Sequence, residues 1–316
     1  MGDPMVLVDL DVPSEDVDVH ISSSVVVGVS RAPGPPPLAG RDVDVALTSA
    51  PRPPAPWVSC PDLDEELALL ARRICTWPGA AVTLGHVLRS SGGLSIPQAL
   101  VVESLAYSAL QGGPEFRSWL EDRPATVAKA STGDPVLVAR EGARLTITLN
   151  RPEVHNAYNA LMRDGLCDAL SIATADTSVQ DVHLLGEGPS FCSGGDLNEF
   201  GTFADPVSAH LVRTSQSPAL LLGRLARRVT AHLHGSCVGS GIELPAFAGT
   251  VLADPASTFQ LPEMGMGLVP GAGGTVSISR RIGRRRTGWL VLSGRSIDAR
   301  TAQAWGLVDR LQARGA

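Results

Sequence analysis

The chain has 316 residues, 44% of them hydrophobic, with a formal net charge of -6 and a pI near 5.6; that is enough to bury a sizeable core in one large or two modest domains. The acidic balance argues against a nucleic-acid partner, and the basic residues are almost all arginine, with Lys129 the only lysine. Cys60, Cys75, Cys167, Cys192 and Cys237 are odd in number and lack C-x-x-C spacing, so buried free thiols in a reducing cytosol are expected, with no metal site. The acidic N-terminus and the lack of an apolar run long enough to cross a bilayer lead us to expect a soluble, cytoplasmic protein.

Residues 1–60 read as short strands set in proline-rich text. Residues 5–10 and 24–29 have strand composition, and 42–48 alternates with Val43, Val45 and Leu47 as its apolar set. The run Ala32-Pro33-Gly34-Pro35-Pro36-Pro37, then Pro51, Pro53, Pro54 and Pro56, continues neither a helix nor a central strand and reads as linker or edge covering. No chemistry is legible here.

From Pro61 the text becomes helical. Leu63, Leu67, Leu70 and Ile74 fall at helical spacing behind Asp62 as N-cap, with Asp64, Glu65 and Glu66 in the first turn, where the helix dipole favours them. A second helix is expected over 80–88. Pro97 takes an early helix position before Leu100, Val101, Leu105 and Leu110, and Pro114 opens a short last helix with Phe116, Trp119 and Leu120.

Residues 125–134 read as a linker into a hairpin, 136–140 and 144–149, around Glu141-Gly142, with Leu145, Ile147 and Leu149 on one face. Asn156 is expected to start a helix carrying Leu161, Met162, Leu166 and Leu170. Residues 182–185 form a short buried strand. The stretch Ser190-Phe191-Cys192-Ser193-Gly194-Gly195-Asp196-Leu197 contains a tight turn, with Asp196 as a cap for the next turn.

The stretch 231–275 organises the rest. Residues 229–233 alternate as a buried strand, His234-Gly235 breaks it, and Gly239-Ser240-Gly241-Ile242-Glu243 leads into a helix expected over 239–248. A glycine-lined turn feeding a helix presents free backbone amides, so the Ser240 N–H can stabilise an oxyanion; an ordinary turn has the same text. Glu263 follows twenty residues after Glu243, between Pro262 and a run of glycines. Two carboxylates in one apolar site can divide acid and base work, because burial and mutual repulsion drive their pKa values apart.

Beyond Thr275 a helix is expected over 274–282, ending at Gly283, and another from Arg284 with Trp289, Leu290 and Leu292 inward. Arg280, Arg281 and Arg284 to Arg286 read as an anion site or as a solvated basic face. The last helix starts near Ala299, capped by Ser296 or Asp298, and closes at Trp305-Gly306.

From about residue 135 to 311 these motifs, in this order and spacing, resemble the crotonase superfamily, the enoyl-CoA hydratase/isomerase family. Ser190 to Leu197 is similar to its F-x-x-G-x-D-[LI] segment. The resemblance implies an α/β fold, a spiral of β-β-α repeats, with an added helical module. It places the oxyanion hole on the amides of Gly195 and Ser240, where the family usually has glycine at the second position, and the two hydratase glutamates on Glu243 and Glu263.

Val154-His155-Asn156-Ala157 resembles the stretch near the adenine and phosphates of coenzyme A. Arg151, Val154, Asn156, Ser193 and Gly194 are the implied contacts, Arg151 otherwise being a solvated loop arginine. Phe200 and Phe203 fall where the family shapes its acyl pocket, or simply in the core. The implied reaction is reversible hydration of a 2-enoyl-CoA. Isomerisation, hydrolysis or decarboxylation of an acyl-CoA are alternatives, and so is a non-catalytic acyl-CoA-binding scaffold. No metal or redox cofactor is implied, coenzyme A being part of the substrate, and a homo-oligomer, a trimer or dimer of trimers, is expected.

The family continues past the equivalent of Leu311 with a helical tail. Here residues 61–124 resemble that tail placed ahead of a core at 125–316, which suggests circular permutation, or a duplication whose first copy decayed to residues 1–60; an unrelated helical cap is the alternative.

Overall fold

The computed structural model describes residues 2–12, 23–38, 41–123, 133–203 and 205–314; most of the linker expected over 125–134 lies outside these. Four short strands, β1 (Met5–Asp9), β2 (Val25–Ser30), β3 (Val45–Thr48) and β4 (Val58–Ser59), lie side by side in chain order, all parallel. Both faces are covered, as parallel sheets require. Val25, Val27, Val45, Leu47 and Val58 join the main core, while Leu10, Val26, Val43, Ala46 and Trp57 form a smaller cluster behind. Val43 therefore packs opposite to Val45 and Leu47, because it precedes the strand proper. Asp44 between them is buried, accepting from the Val26 amide at 2.8 Å and from Arg89 Nε at 2.8 Å.

Four helices follow: α1 (Leu63–Thr76), α2 (Pro78–Ser90), α3 (Ile96–Gln111) and α4 (Pro114–Asp122). Asp62 caps α1 by accepting from the Glu65 amide at 2.9 Å, Gln98 reaches back to the Ser95 amide at 3.1 Å, and Pro78, Pro97 and Pro114 occupy first turns. Helix α3 departs from its apolar periodicity. Val101 and Leu105 face outward, and the buried positions are Ala99, Glu103, Ser104, Ser108 and Leu110. The inward polar face is satisfied: His210 and Arg213 bond Ser104, and Arg213 also bonds Ser108 and Gln111.

The remainder builds two sheets. An antiparallel hairpin, β5 (Val136–Glu141) and β6 (Arg144–Leu149), leads through α5 (Ala160–Ala175) to β7 (Asp181–Gly186), and α6 (Pro206–Ser215) and α7 (Pro218–Leu225) lead on to β8 (Val229–Leu233). Then come β9 (Ser236–Val238), α8 (Ser240–Glu243), β10 (Thr250–Ala253), β11 (Thr258–Gln260), α9 (Gly274–Ile282), α10 (Arg284–Ser293), β12 (Ile297–Asp298), α11 (Ala299–Trp305) and β13 (Arg310–Leu311). The large sheet runs β13-β10-β8-β7-β6-β5 and the small one β12-β11-β9. Successive strands alternate between them, β8 to β9 and β10 to β11, which is the spiral of β-β-α turns.

The helix expected over 239–248 is shorter: α8 gives way to a 3-10 turn at Pro245–Phe247, since Pro245 has no N–H to continue the ladder. Asn159, not Asn156, caps α5, accepting from the Met162 amide at 2.9 Å. Asp298 caps α11.

Of the C-terminal arginines Arg280 is exposed, while Arg281 and Arg284 to Arg286 are partly or fully buried and committed to carbonyls and carboxylates rather than forming an anion site or a solvated face. Arg284 pairs with Asp42, Arg285 donates to the carbonyls of Val43 and Arg41, and Arg286 donates to that of Trp57, which ties α10 to the N-terminal sheet. Arg281 and Arg280 donate to the Ala246 and Leu94 carbonyls. Glu66 of α1 completes this seam, accepting from Trp289 Nε1 and Arg295 Nε, each at 2.8 Å. All five cysteines are free; Cys75 is exposed and the others are buried. No described helix is long and apolar enough to cross a membrane.

Candidate active site

Strand β9 delivers the chain to Gly239, whose φ of +50° suits glycine, and then into α8. The 192–196 segment runs beside β9: the Val238 amide donates to the Cys192 carbonyl at 3.0 Å, and residue 195 forms a parallel bridge with Tyr158. That bridge uses the Gly194 carbonyl and the Asp196 amide, so the Gly195 N–H points away from it. Ser240 is the first residue of α8, where an amide has no preceding helical carbonyl to pair with. Both residues line one cavity of about 560 Å³, within the range of small-ligand sites.

Glu243 and Glu263 line the same cavity. Glu243 Oε2 accepts from the Ala272 and Gly274 amides at 2.8 and 2.9 Å. Burial pushes its carboxyl up to about 7, against the pull of those amides. Glu263 is raised well above the ordinary range, by burial first and then by the charge of Glu243. Its Oε2 is buried and has no hydrogen-bond partner among the described residues, a costly arrangement unless a ligand uses that oxygen. Both carboxyls are thus held above the ordinary glutamate range by shared burial, Glu263 with the charge of Glu243 adding to it.

The cavity is walled from both parts of the chain. Leu100, Tyr107 and Trp119 come from α3 and α4, and Phe200 and Phe203 from the loop after Asp196, with Trp119 and Phe200 packed edge to face at 5.9 Å. Asp196 caps the turn that follows it, accepting from the Asn198 amide at 3.1 Å.

Of the expected coenzyme A contacts, Ser193 and Gly194 line the cavity; Arg151, Val154 and Asn156 do not. Arg151 is only 4% exposed, its guanidinium turned inward to the Ala157 carbonyl and to Asp196 at 3.0 Å. Asn156 is a buried staple: its amide nitrogen donates to the carbonyls of Glu187, Ser190 and Phe191, and its oxygen accepts from the Arg151 N–H. Val154 offers its carbonyl to Ser193 Oγ at 3.4 Å. Their part is to brace the loop that carries Gly195.

Sequence reasoning missed Glu103. It is 2% exposed, lines the cavity, and accepts from the Gly273 amide at 2.7 Å and from the Thr275 amide and hydroxyl at 2.9 and 2.6 Å. Burial, with Glu243 adding, pushes its carboxyl up to about 8 against those three donors. The available signal was a single carboxylate in the otherwise uncharged run from Ile96 to Gln111.

These features define a crotonase-type fold around a carboxylate-bearing cavity. Residues 140–315 match the family model for enoyl-CoA hydratase/isomerase, and the chain belongs to that family. A 2,3-dehydroadipyl-CoA hydratase of Escherichia coli K12 is 35% identical over 55% of this chain and 68% of its own. Among solved structures, an enoyl-CoA hydratase/carnithine racemase from Magnetospirillum magneticum shares 31% identity at a TM-score of 0.53, covering 58% of this chain and 70% of that one. A Thermobifida fusca structure in complex with acetoacetyl-CoA shares 28% identity at a TM-score of 0.53, covering 57% and 74%.

Proposed function

We propose that the chain catalyses reversible syn addition of water to a 2-enoyl-CoA thioester. The observation that carries this reading is that one cavity is lined by Glu243, Glu263, Gly195 and Ser240, the last two with backbone amides that donate to no carbonyl among the described residues. The two amides donate to the thioester oxygen. Ionised Glu243 takes a proton from water as the water oxygen bonds to the β-carbon, and the displaced π electrons form an enolate held by the same amides. Glu263 gives its proton to the α-carbon on the same face. Coenzyme A enters as part of the substrate, and the scheme uses no metal or redox cofactor. Double-bond isomerisation needs only one carboxylate, and the presence of two favours hydration.

The test is the ultraviolet absorbance of short, medium and branched 2-enoyl-CoAs with the wild type, Glu243→Gln and Glu263→Gln. Absorbance is expected to fall with a mass gain of one water, and each variant should be slower by about 10²–10⁴-fold. A flat trace from wild type that still binds acyl-CoA would sink the reading.

A cytoplasmic homo-oligomer, a trimer or dimer of trimers, belongs to this reading. Val101 and Leu105 on α3 and Val207 and Leu211 on α6 are its candidate contacts, exposed and apolar on two packed helices. Light scattering of the purified chain tests it. Residues 1–124 are read as a relic of a first copy with its tail: β1 to β4 repeat the parallel chain-order pairing of β7, β8, β10 and β13, and four helices follow.

A further inference from the structure

Four successive amides at the start of α9 are divided between two carboxylates approaching from different elements. Ala272 and Gly274 donate to Glu243 Oε2 from α8, while Gly273 and Thr275 donate to the two oxygens of Glu103 from α3. The opening amides of a helix have no intrahelical acceptors and favour negative charge, so both acids suit the place. The alternation leaves Glu243 bound through one oxygen. Its Oε1 is turned toward Gly239 and Glu263, since a β-carbon at Gly239 would lie 3.8 Å from it. Glu103 comes from 170 residues upstream of Gly273, outside the region that matches the family model.

We propose that Glu103 is a positioning residue for Glu243: by occupying the Gly273 and Thr275 donors it fixes the 271–275 turn and keeps Glu243 Oε1 free to meet water in the cavity. The inference rests on the hydratase reading of the site. Without Glu103, two strong donors in the turn lose their acceptor, and Glu243 is the nearest anion that can take them. One helical turn further along α3, the Tyr107 ring packs on Gly271.

The charged and titratable groups facing this pair are Glu263 from the turn after β11, Tyr107 from α3 and Arg213 from α6; Tyr158 and Cys192 sense Glu243 from the strand side. Arg213 stacks over the Tyr107 ring at 4.7 Å and spends its hydrogen bonds on Ser104, Ser108 and Gln111. The charge of Glu243 adds to burial in raising the Glu103 carboxyl.

The test uses the full chain and the variants Glu103→Gln, Glu103→Asp and Thr275→Val. Titration of the glutamate carboxyl carbons by NMR reads Glu243 without requiring turnover. Its midpoint is expected to fall in Glu103→Gln, through the freed amides that turn to Glu243, and to fall less in Thr275→Val, which preserves shape if Glu103→Gln does not fold. In parallel, kcat for a 2-enoyl-CoA is expected to drop about 10–100-fold in Glu103→Gln with KM nearly unchanged, and the acidic limb of the kcat profile should move to lower pH. Glu103→Asp keeps a carboxylate but draws it back from both donors, and should lose kcat and move the limb in the same direction by less. An unmoved Glu243 midpoint in both Glu103→Gln and Thr275→Val overturns the proposal even if the enzyme is active. A wild type that hydrates no 2-enoyl-CoA overturns the functional reading instead, and the carboxyl titration still decides the role of Glu103.

Discussion

Glu243 and Glu263 aim their Oε1 atoms at one point: a β-carbon built on Gly239 would lie 3.8 Å from the first and 2.8 Å from the second. Any side chain there intrudes between the two acids and also needs a positive φ. Gly239→Ala is expected to lose about 1–3 kcal/mol of stability through backbone strain. Its kcat should fall by about 100-fold through displacement of the carboxylates. Urea denaturation and steady-state kinetics measure the two effects separately.

The pH dependence is set by which acid ionises. Burial holds Glu243 up to about 7, and the base must be ionised to accept a proton from water. The acidic limb of kcat/KM is therefore expected near 7, and activity is lost as pH falls through it. A limb near the ordinary glutamate value of about 4.3 counts against Glu243 as base.

Stability should move the other way. Glu263 is raised well above its unfolded value, so the native state holds its proton where the unfolded chain has released it. Its contribution is fully present below the unfolded glutamate value and is lost as pH rises through the folded one. Glu263→Gln removes that loss. It is expected to be about 10²–10⁴-fold slower yet more stable than wild type near pH ~8, by about 0.5–2 kcal/mol, with the gain disappearing near pH ~4. Thermal unfolding at the two pH values decides it.

The N-terminal sheet is predicted to be part of the cooperative fold. Asp44 and Arg89 form a buried ion pair, each side chain 3% exposed, and Asp44 also accepts the Val26 amide. Asp44→Ala leaves a buried charge and an amide unpaired, at an expected cost of about 3–5 kcal/mol. Turnover by the folded fraction should be unchanged, since neither residue lines the cavity. Denaturant unfolding followed by tryptophan fluorescence measures the cost.

Glu243 and Glu263 were legible in the sequence because each stands in apolar, glycine-flanked text where a carboxylate is hard to explain otherwise. The strands at 5–9, 25–30 and 45–48 were legible from composition, but their parallel pairing was not, since pairing is non-local. The same limit hid Glu103: the amides it caps lie 170 and 172 residues away, so only the packing of α3 against α9 gives it a role. Arg284, Arg285 and Arg286 misled because a run of charges reads the same whether it meets solvent, a phosphate or buried carbonyls. Asn156 did so because its partners, Glu187, Ser190 and Phe191, sit on another loop.

The most direct test of the central claim is turnover of a 2-enoyl-CoA in water labelled with ¹⁸O, with the product read by mass spectrometry and located by fragmentation. The account predicts one labelled oxygen on the β-carbon of an intact thioester, formed by wild type and about 10²–10⁴-fold more slowly by Glu243→Gln and Glu263→Gln. Label in a released carboxylate, or a shifted double bond carrying no label, would contradict it.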